Sequence, residues 1–256
     1  MARFSFVLPA MVGVAVSVST VALAAGGGTW AGGYGGLQLG YGNSSDDKVN
    51  TTGQAAGNVA NVAGGARPAS VSLDADGFVG GAMIGYNWQS GNLVYGLEAD
   101  LNYTDIDDSK SVGTLSLPTA TPAGVPLNNT VKQSLDYLGT VRARIGYAFQ
   151  NTMVYGTGGL AYGGIDNSVN FFAATAPTGP LQFQGSDDEM EYGYALGGGI
   201  EQLVNPKWVV SANYLYYDLG SKTTNVAAIP GVGAGGYNSK FDTAGHIFRA
   251  GAAYKF

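Results

Sequence analysis

Leu135-Asp136-Tyr137-Leu138-Gly139-Thr140-Val141-Arg142-Ala143-Arg144-Ile145-Gly146-Tyr147-Ala148-Phe149-Gln150 is the stretch on which the fold turns. Its odd positions are apolar or small and end in Tyr147 and Phe149. Its even positions carry Asp136, Thr140, Arg142 and Arg144. A helix would scatter these residues around its circumference, whereas a strand puts successive side chains on opposite faces and separates them cleanly.

Working outward, the same period of two recurs. Leu93, Tyr95, Leu97, Ala99, Leu101 and Tyr103 share one face, opposite Val94, Gly96, Glu98, Asp100 and Asn102. Phe248, Ala250, Ala252, Tyr254 and Phe256 alternate with Arg249, Gly251, Ala253 and Lys255. Trp208, Val210, Ala212, Tyr214 and Tyr216 form another face. Tyr192, Tyr194, Leu196 and Ile200 oppose Glu191 and Glu201, and Phe78, Ala82, Ile84, Tyr86 and Trp88 line up in the same way. Two Gly-rich blocks, Tyr34 to Tyr41 and Met153 to Gly163, complete a set of eight expected strands.

Three connections are short and polar: Gln89-Ser90-Gly91-Asn92, Gln150-Asn151-Thr152 and Val204-Asn205-Pro206-Lys207. They read as hairpin turns. The four between them, roughly 42–76, 105–133, 165–188 and 220–240, are long and rich in Gly, Asn, Ala, Thr, Pro and Asp. Strict alternation of short and long connections is the layout of an outer-membrane barrel. In hydrocarbon every backbone N–H and C=O must be paired, so the sheet has to close. The expected fold is therefore all-β: an eight-stranded antiparallel transmembrane β-barrel with short periplasmic turns and four long extracellular loops. Aromatic residues at block ends, such as Trp88, Tyr95, Tyr103, Tyr147 and Trp208, fit the interfacial girdles of such a barrel.

Composition agrees and excludes much else. The chain has 256 residues, with 42 Gly, 16 Tyr and only 12% charged residues. Zero Cys removes disulfides, thiolate zinc sites and Cys nucleophiles, and a single His removes a multi-His metal centre. A net charge of −6 argues against nucleic acid as a partner. Beyond the first two dozen residues no apolar run approaches the ~18–20 of a spanning helix. The N-terminus itself, Met1-Ala2-Arg3 followed by the apolar Phe4–Leu23 stretch and the A-x-A site Ala22-Leu23-Ala24, reads as an export signal cleaved between Ala24 and Ala25, rather than as an anchor helix. That gives a signal peptide over 1–24 and one barrel domain over 25–256.

The inner face is expected to carry a charge network of Glu98, Asp100, Asp136, Glu191, Glu201, Arg142, Arg144, Arg249 and Lys255. A barrel of eight strands is just wide enough to be filled by its side chains, so near-balanced charges there should pair rather than form a single-sign filter. No H-E-x-x-H, P-loop or G-x-S-x-G motif is present. The acidic runs Asp46-Asp47, Asp105–Asp108 and Asp187-Asp188-Glu189 lack EF-hand spacing and read as solvated loops, with no metal or cofactor expected. His246, with Asp242 and Ser239 upstream, is the one set that suggests an enzyme, and it is read as an interfacial rim histidine.

The terminal Phe248-Arg249-Ala250-Gly251-Ala252-Ala253-Tyr254-Lys255-Phe256 resembles the signal read by the outer-membrane barrel assembly machinery, which makes Tyr254 and Phe256 the expected assembly residues. Thr140–Tyr147, Val154–Gly163 and Gly33–Gly42 are similar to segments of small alphaproteobacterial outer-membrane proteins. Together they resemble the porin-like outer-membrane β-barrel family, related to the OmpA transmembrane domain. The resemblance implies residence in a Gram-negative outer membrane, a structural and surface-exposed role in the cell envelope with at most limited small-solute diffusion, and no enzymatic activity. Outer-membrane lipid, lipopolysaccharide and the assembly machinery are the implied partners, and a monomer is expected. The alternatives are a lipid A-modifying enzyme using His246 and an adhesin or ligand binder acting through the loops.

Overall fold

The computed structural model describes residues 29–45, 48–120, 123–173, 179–232 and 235–256. The expected signal peptide, with Ala24 and Ala25, lies outside the described residues, as do Asp46 and Asp47. The elements run β1 (Gly32–Ser44), β2 (Lys48–Gly53), α1 (Ala56–Ala63), β3 (Ser70–Ser72), β4 (Asp76–Ser90), β5 (Leu93–Leu115), β6 (Pro126–Phe149), β7 (Thr152–Ala173), β8 (Leu181–Asn205), β9 (Trp208–Ala228) and β10 (Gly236–Lys255). Neighbours pair in the order β1-β4-β5-β6-β7-β8-β9-β10, and β1 returns to β10 to close an antiparallel ring of eight. The closure aligns Leu37 with Ala252 and Leu39 with Ala250. Among the described residues no helix is long and apolar enough to cross a membrane; the strands are what cross.

The polarity of the sheet is inverted, as the alternation requires. Leu37, Ile84, Leu97, Val141, Ile145, Leu160, Leu196 and Phe248 all face outward and are exposed. Their inward neighbours Glu98, Asp100, Arg142 and Arg249 are buried. From Leu93 to Tyr103 the apolar face of β5 covers ten steps, about 33 Å along the strand, or about 25 Å along the membrane normal at a tilt near 40°. That matches the lipid-facing band of an outer-membrane barrel. Ring pairs mark its margins: Tyr86–Trp88 at 5.0 Å, Trp88–Tyr95 at 5.8 Å and Tyr147–Phe149 at 4.8 Å sit at the short-turn end.

The strands do not stop at the outer girdle. The stretches 105–133, 165–188 and 220–240, expected as loops, are largely strand: β5 and β6 remain paired out to Leu115 and Pro126, and β6 and β7 to Leu127 and Ala173. A bulge accompanies the change of surroundings. Register slips between Tyr103 and Ile106 on β5 and between Leu135 and Tyr137 on β6. One extra residue there reverses the parity of the strand. Leu135, assigned from the alternation to the same face as Tyr137, is instead buried inside. Asp136 is the bulged residue, exposed outside and accepting a hydrogen bond from Ser134 Oγ at 2.9 Å.

The first long connection folds into the mouth of this extension. β2 pairs with β10 at Tyr237–Lys240, above the point where β1 ends, and β3 pairs with β2. The helix α1, the one helix among the described residues, is a two-turn Ala- and Asn-containing segment closed by Gly64 N–H to Ala60 O at 2.9 Å, after which Gly65 takes φ +78°. The segment is fastened to β5 by Asp74 N–H to Asp108 Oδ2 at 2.8 Å and Thr114 Oγ to Ala66 O at 2.7 Å. Val49, Val71 and Leu73 thus meet Val131, Val169, Phe171, Phe183, Val226, Tyr237 and Phe241 in an apolar core above the membrane level.

Candidate functional site

Four layers fill the bore. At the short-turn end Trp30, Val94, Ala148, Met153, Tyr155, Leu203 and Val209 pack together. A cavity there, between Trp30, Asn87, Glu201 and Lys255, holds only about 10 Å³, room for about one water. Beyond the ionic layer comes a second apolar layer that includes Val79, Ile106, Leu135, Leu138, Ile165, Leu215, Tyr217 and Ile247. The core against the first connection is the fourth. The axis is therefore not ionic throughout; the paired arginines and carboxylates occupy one belt between apolar layers.

That belt is built by cross-strand register. β5 and β6 place Glu98 opposite Arg142 and Asp100 opposite Thr140. Arg142 Nη2 donates to Glu98 Oε1 at 2.7 Å and to Asp100 Oδ2 at 2.5 Å, while its Nε donates to Thr140 Oγ at 2.8 Å. Arg144 spans further: Nη1 meets Glu98 Oε2 at 3.0 Å and Nη2 meets Glu201 Oε1 at 2.5 Å, across to β8. The Tyr34 hydroxyl from β1 accepts from Arg144 at 2.7 Å and donates to Glu98 at 2.7 Å. The Arg144 guanidinium lies 4.1 Å from the Tyr155 ring centroid, a cation–π contact in a desolvated place. Arg249 from β10 reaches Asp100 Oδ1 at 3.3 Å and Asn213 Oδ1 at 2.9 Å. Three guanidinium groups meet three carboxylates, all at least nine-tenths buried. Buried charge is tolerable in this arrangement because each carboxylate is paired and most remaining donors find acceptors.

Six of the nine residues expected in the network are joined: Glu98, Asp100, Glu201, Arg142, Arg144 and Arg249. Three are not. Asp136 is turned out by its bulge. Glu191 is on the inner face of β8 but ten residues beyond Glu201, about 33 Å along the strand, near Lys222 and Thr243. Lys255 lies at the short-turn end, where its Nζ donates to Thr29 O. Tyr34, Thr140, Asn213, Gln38 and Asn102 belong to the network and were not singled out from sequence. Gln38 Nε2 donates to Asn102 Oδ1 at 2.8 Å, and Asn102 to Asp100 at 2.5 Å. Each sits at an inward parity position of its strand, which is the signal that would have found them.

A further buried cation outside the belt, Arg67, holds the first connection in the outer mouth. It donates to Asn129 Oδ1 at 2.8 Å, Phe172 O at 3.2 Å and Gln182 Oε1 at 2.5 Å, and lies 5.1 and 6.0 Å from the Phe171 and Phe183 rings.

The residues that suggested hydrolysis do not come together. His246 Nδ1 is 2.7 Å from the Tyr214 hydroxyl, with the two rings stacked. Ser239 is buried further out, paired with Thr51 at 3.2 Å, and Asp242 is paired with Lys240 at 2.9 Å. Among the described residues no three His, Asp or Glu side chains are grouped to hold a metal. At the chain end, Tyr254 packs edge-on against Trp208 at 5.4 Å, and the Phe256 side chain is exposed while its N–H donates to Gly33 O at 3.0 Å.

Comparison with known proteins agrees with this architecture. Residues 8–256 match the family described as "Outer membrane protein beta-barrel domain". The 31 kDa outer-membrane immunogenic protein of Brucella melitensis is 33% identical over 89% of this chain and 84% of its own length. The 22 kDa outer membrane protein of Rhizobium leguminosarum is 32% identical over 57% of this chain and 54% of its own. The crystal structure of OprG from Pseudomonas aeruginosa shares the fold, with a TM-score of 0.51 at 15% identity over 88% of this chain and 96% of that one. The inverted sheet, the closed ring and these relatives together place the chain in the outer membrane, as a member of the outer-membrane protein β-barrel domain family with alphaproteobacterial homologues.

Proposed function

We propose that the protein is a closed, non-conducting barrel whose work is structural: it spans the outer membrane and carries a rigid sleeve of paired strands beyond it. One observation supports this reading above the others. The bore is filled by the three-arginine, three-carboxylate belt, with apolar layers on both sides of it. An ion crossing it would have to disrupt buried pairs, and removing one partner from such a pair costs about 3–5 kcal/mol. The alternative of a hydrolytic site at His246 draws no support from the geometry, since His246, Ser239 and Asp242 each have other partners. Lipopolysaccharide surrounds the outer girdle in this reading, and the assembly machinery receives the exposed Phe256 and Tyr254. The test is electrical. In planar bilayers the purified barrel should give no defined unitary current, and a steady, reproducible conductance step would overturn the closed-bore reading.

A surface-recognition role is the second reading. It is favoured by the ordered first connection, which gives the sleeve a shaped tip, and by the immunogenic character named for the Brucella relatives.

A further inference from the structure

Between the second apolar layer and the core against the first connection lies a band of polar side chains. Gln133 falls between Leu135 and Val131 of those two layers, and Asn167 between Ile165 and Val169. The register sets the band out. Gln133 on β6 stands opposite Asn167 on β7, and Asn167 opposite Asp187 on β8. Thr224 on β9 stands opposite Ser239 on β10, and Ser239 opposite Thr51 on β2. Residues opposed in this way share a face, and here it is the inner one, with Asn167 1% exposed and Thr224 fully buried.

Part of the band is matched. Gln133 Nε2 donates to Thr243 Oγ at 3.0 Å, and the Ser239 and Thr51 hydroxyls bond to each other at 3.2 Å. Three oxygens are not matched: Asn167 Oδ1, Asp187 Oδ2 and Thr224 Oγ are buried without a hydrogen-bond partner among the described residues. Because Asn167 and Asp187 are directly opposed, their Cβ atoms stand about 5 Å apart. An amide oxygen and a carboxylate facing each other are both acceptors, and leaving them buried is costly unless a donor or a positive charge lies between them. Lys222, close enough to Asp187 to feel its charge, is engaged by Glu189.

The wall opens beside these oxygens. The β8–β9 ladder lapses between Tyr194 against Asp218 and Gln184 against Ala227, with Asp187 on one side of the lapse and Thr224 on the other. Thr224 still leans toward β8: its Cγ2 lies 3.0 Å from where a Cβ on Gly185 would stand, two residues from Asp187 on the same face. Glu189, opposite the buried Ile165 and so on the inner face, keeps 56% of its side chain exposed. Solvent therefore reaches the inner face of β8 through the lapse. Asp187 stands five residues, about 17 Å along the strand, beyond the exposed Tyr192 of the outer girdle. Carboxylate, amide and hydroxyl oxygens are the ligands of calcium, which takes six to eight at ~2.3–2.6 Å, waters included, in adaptable geometry. We propose that Asp187, Asn167 and Thr224 bind a calcium ion whose shell is completed by water, and that the ion pins β8 to β9 where their ladder is missing. Of the acidic run Asp187-Asp188-Glu189 only Asp187 takes part. The other oxygens come from β7 and β9, so spacing along the chain does not reveal them.

The test is hydrogen–deuterium exchange of the folded barrel in detergent, freed of lipopolysaccharide, in calcium chloride against sodium chloride of equal ionic strength. One carboxylate places the affinity at the weak end for calcium, with a Kd of about 0.5 mM. Calcium at about 5 mM should then slow exchange of amides 185–192 and 220–226 about tenfold. Asp187→Asn should lose that response. Thr224→Val, which keeps the shape and removes one oxygen, should reduce it, and serves if the Asp187 variant does not fold. Asn167→Asp sets two carboxylates face to face, so these amides should exchange faster than in the native chain without calcium and slower with it. Asp136→Asn/Asp166→Asn, which removes carboxylates from the outer face, should leave the response intact. Equal exchange in the two salts, as expected if a resident water serves these oxygens, overturns the proposal. So does a response that survives both Asp187→Asn and Thr224→Val, or an Asn167→Asp barrel that calcium does not tighten.

Discussion

Arg67→Ala is the perturbation that tests how the outer mouth is held. The Arg67 side chain is 2% exposed, gives three hydrogen bonds to β6, β7 and β8, and lies beside two phenyl rings. Hydrogen bonds from a charged donor net ~1.5–3 kcal/mol each, and the ring contacts add ~0.5–2 kcal/mol. Against this stands the desolvation of an unpaired guanidinium, several kcal/mol, which the alanine variant no longer bears. The balance is a loss of about 3 kcal/mol for keeping residues 48–75 docked, a factor of about 150 in the equilibrium for opening. Hydrogen–deuterium exchange of the folded barrel reads this directly. Amides of α1, β2 and β3 should exchange about two orders of magnitude faster, while those of β5 and β6 near Arg142 stay protected. Arg67→Met, which keeps the packing and loses the hydrogen bonds, should fall between. Unchanged exchange in the alanine variant would refute the idea that Arg67 fastens the connection.

Three further outcomes follow from the same geometry. Glu98→Gln should lower unfolding stability in detergent by about 3–5 kcal/mol, because it leaves Arg142 and Arg144 short of a buried partner; Glu98→Gln with Arg142→Gln should cost less than the separate losses combined, and strict additivity would show the pair uncoupled. Asp166, opposite Asp188 on β8 and outside the membrane-spanning band, is held above the usual carboxylate range by partial burial, with Asp188 and Asp136 adding to the shift. A carboxyl whose folded pKa is raised binds more protons folded than unfolded, so its contribution to stability falls as pH rises through that range; Asp166→Asn should therefore raise the unfolding midpoint at about pH 7 and leave it unchanged at about pH 3, and a gain at both would point to a different cause. Deleting Phe256 should reduce the amount of barrel in the outer membrane, as judged by heat-modifiable gel mobility of membrane extracts, and undiminished abundance would show that the terminal aromatic is dispensable for assembly.

The membrane-spanning half was legible in sequence because lipid imposes one rule on every strand. Val141, Ile145 and Leu97 must be apolar, and their neighbours Arg142, Arg144 and Glu98 must not be, so a period of two survives even through Gly-rich β1 and β7. Above the outer girdle that rule ends. Val131, Gln133 and Leu135 face inward while Lys132 and Ser134 face water. This is ordinary soluble-sheet polarity, opposite in sense to the segment below, and in Asn- and Thr-rich sequence it looks like loop. The inversion is absorbed at the Asp136 bulge, which shifts parity by one. A bulge leaves no residue signature of its own, so Asp136 was counted among the inward charges. Arg67 was missed for a related reason. Nothing in Gly64-Gly65-Ala66-Arg67-Pro68 distinguishes it from a solvated loop arginine, although it is the lone basic residue between Lys48 and Lys110. Its partners come from three strands that only the closed ring brings together.

Because the chain has no native Cys, single nitroxide labels can report each face of β6 without background. A label at Val141→Cys should collide freely with dissolved oxygen and hardly at all with a water-soluble nickel chelate, a label at Thr140→Cys should be shielded from both, and one at Lys132→Cys should meet the chelate. Access of the nickel chelate to position 141, or of both reagents to position 140, would contradict a barrel that meets lipid on its outside and is packed solid within.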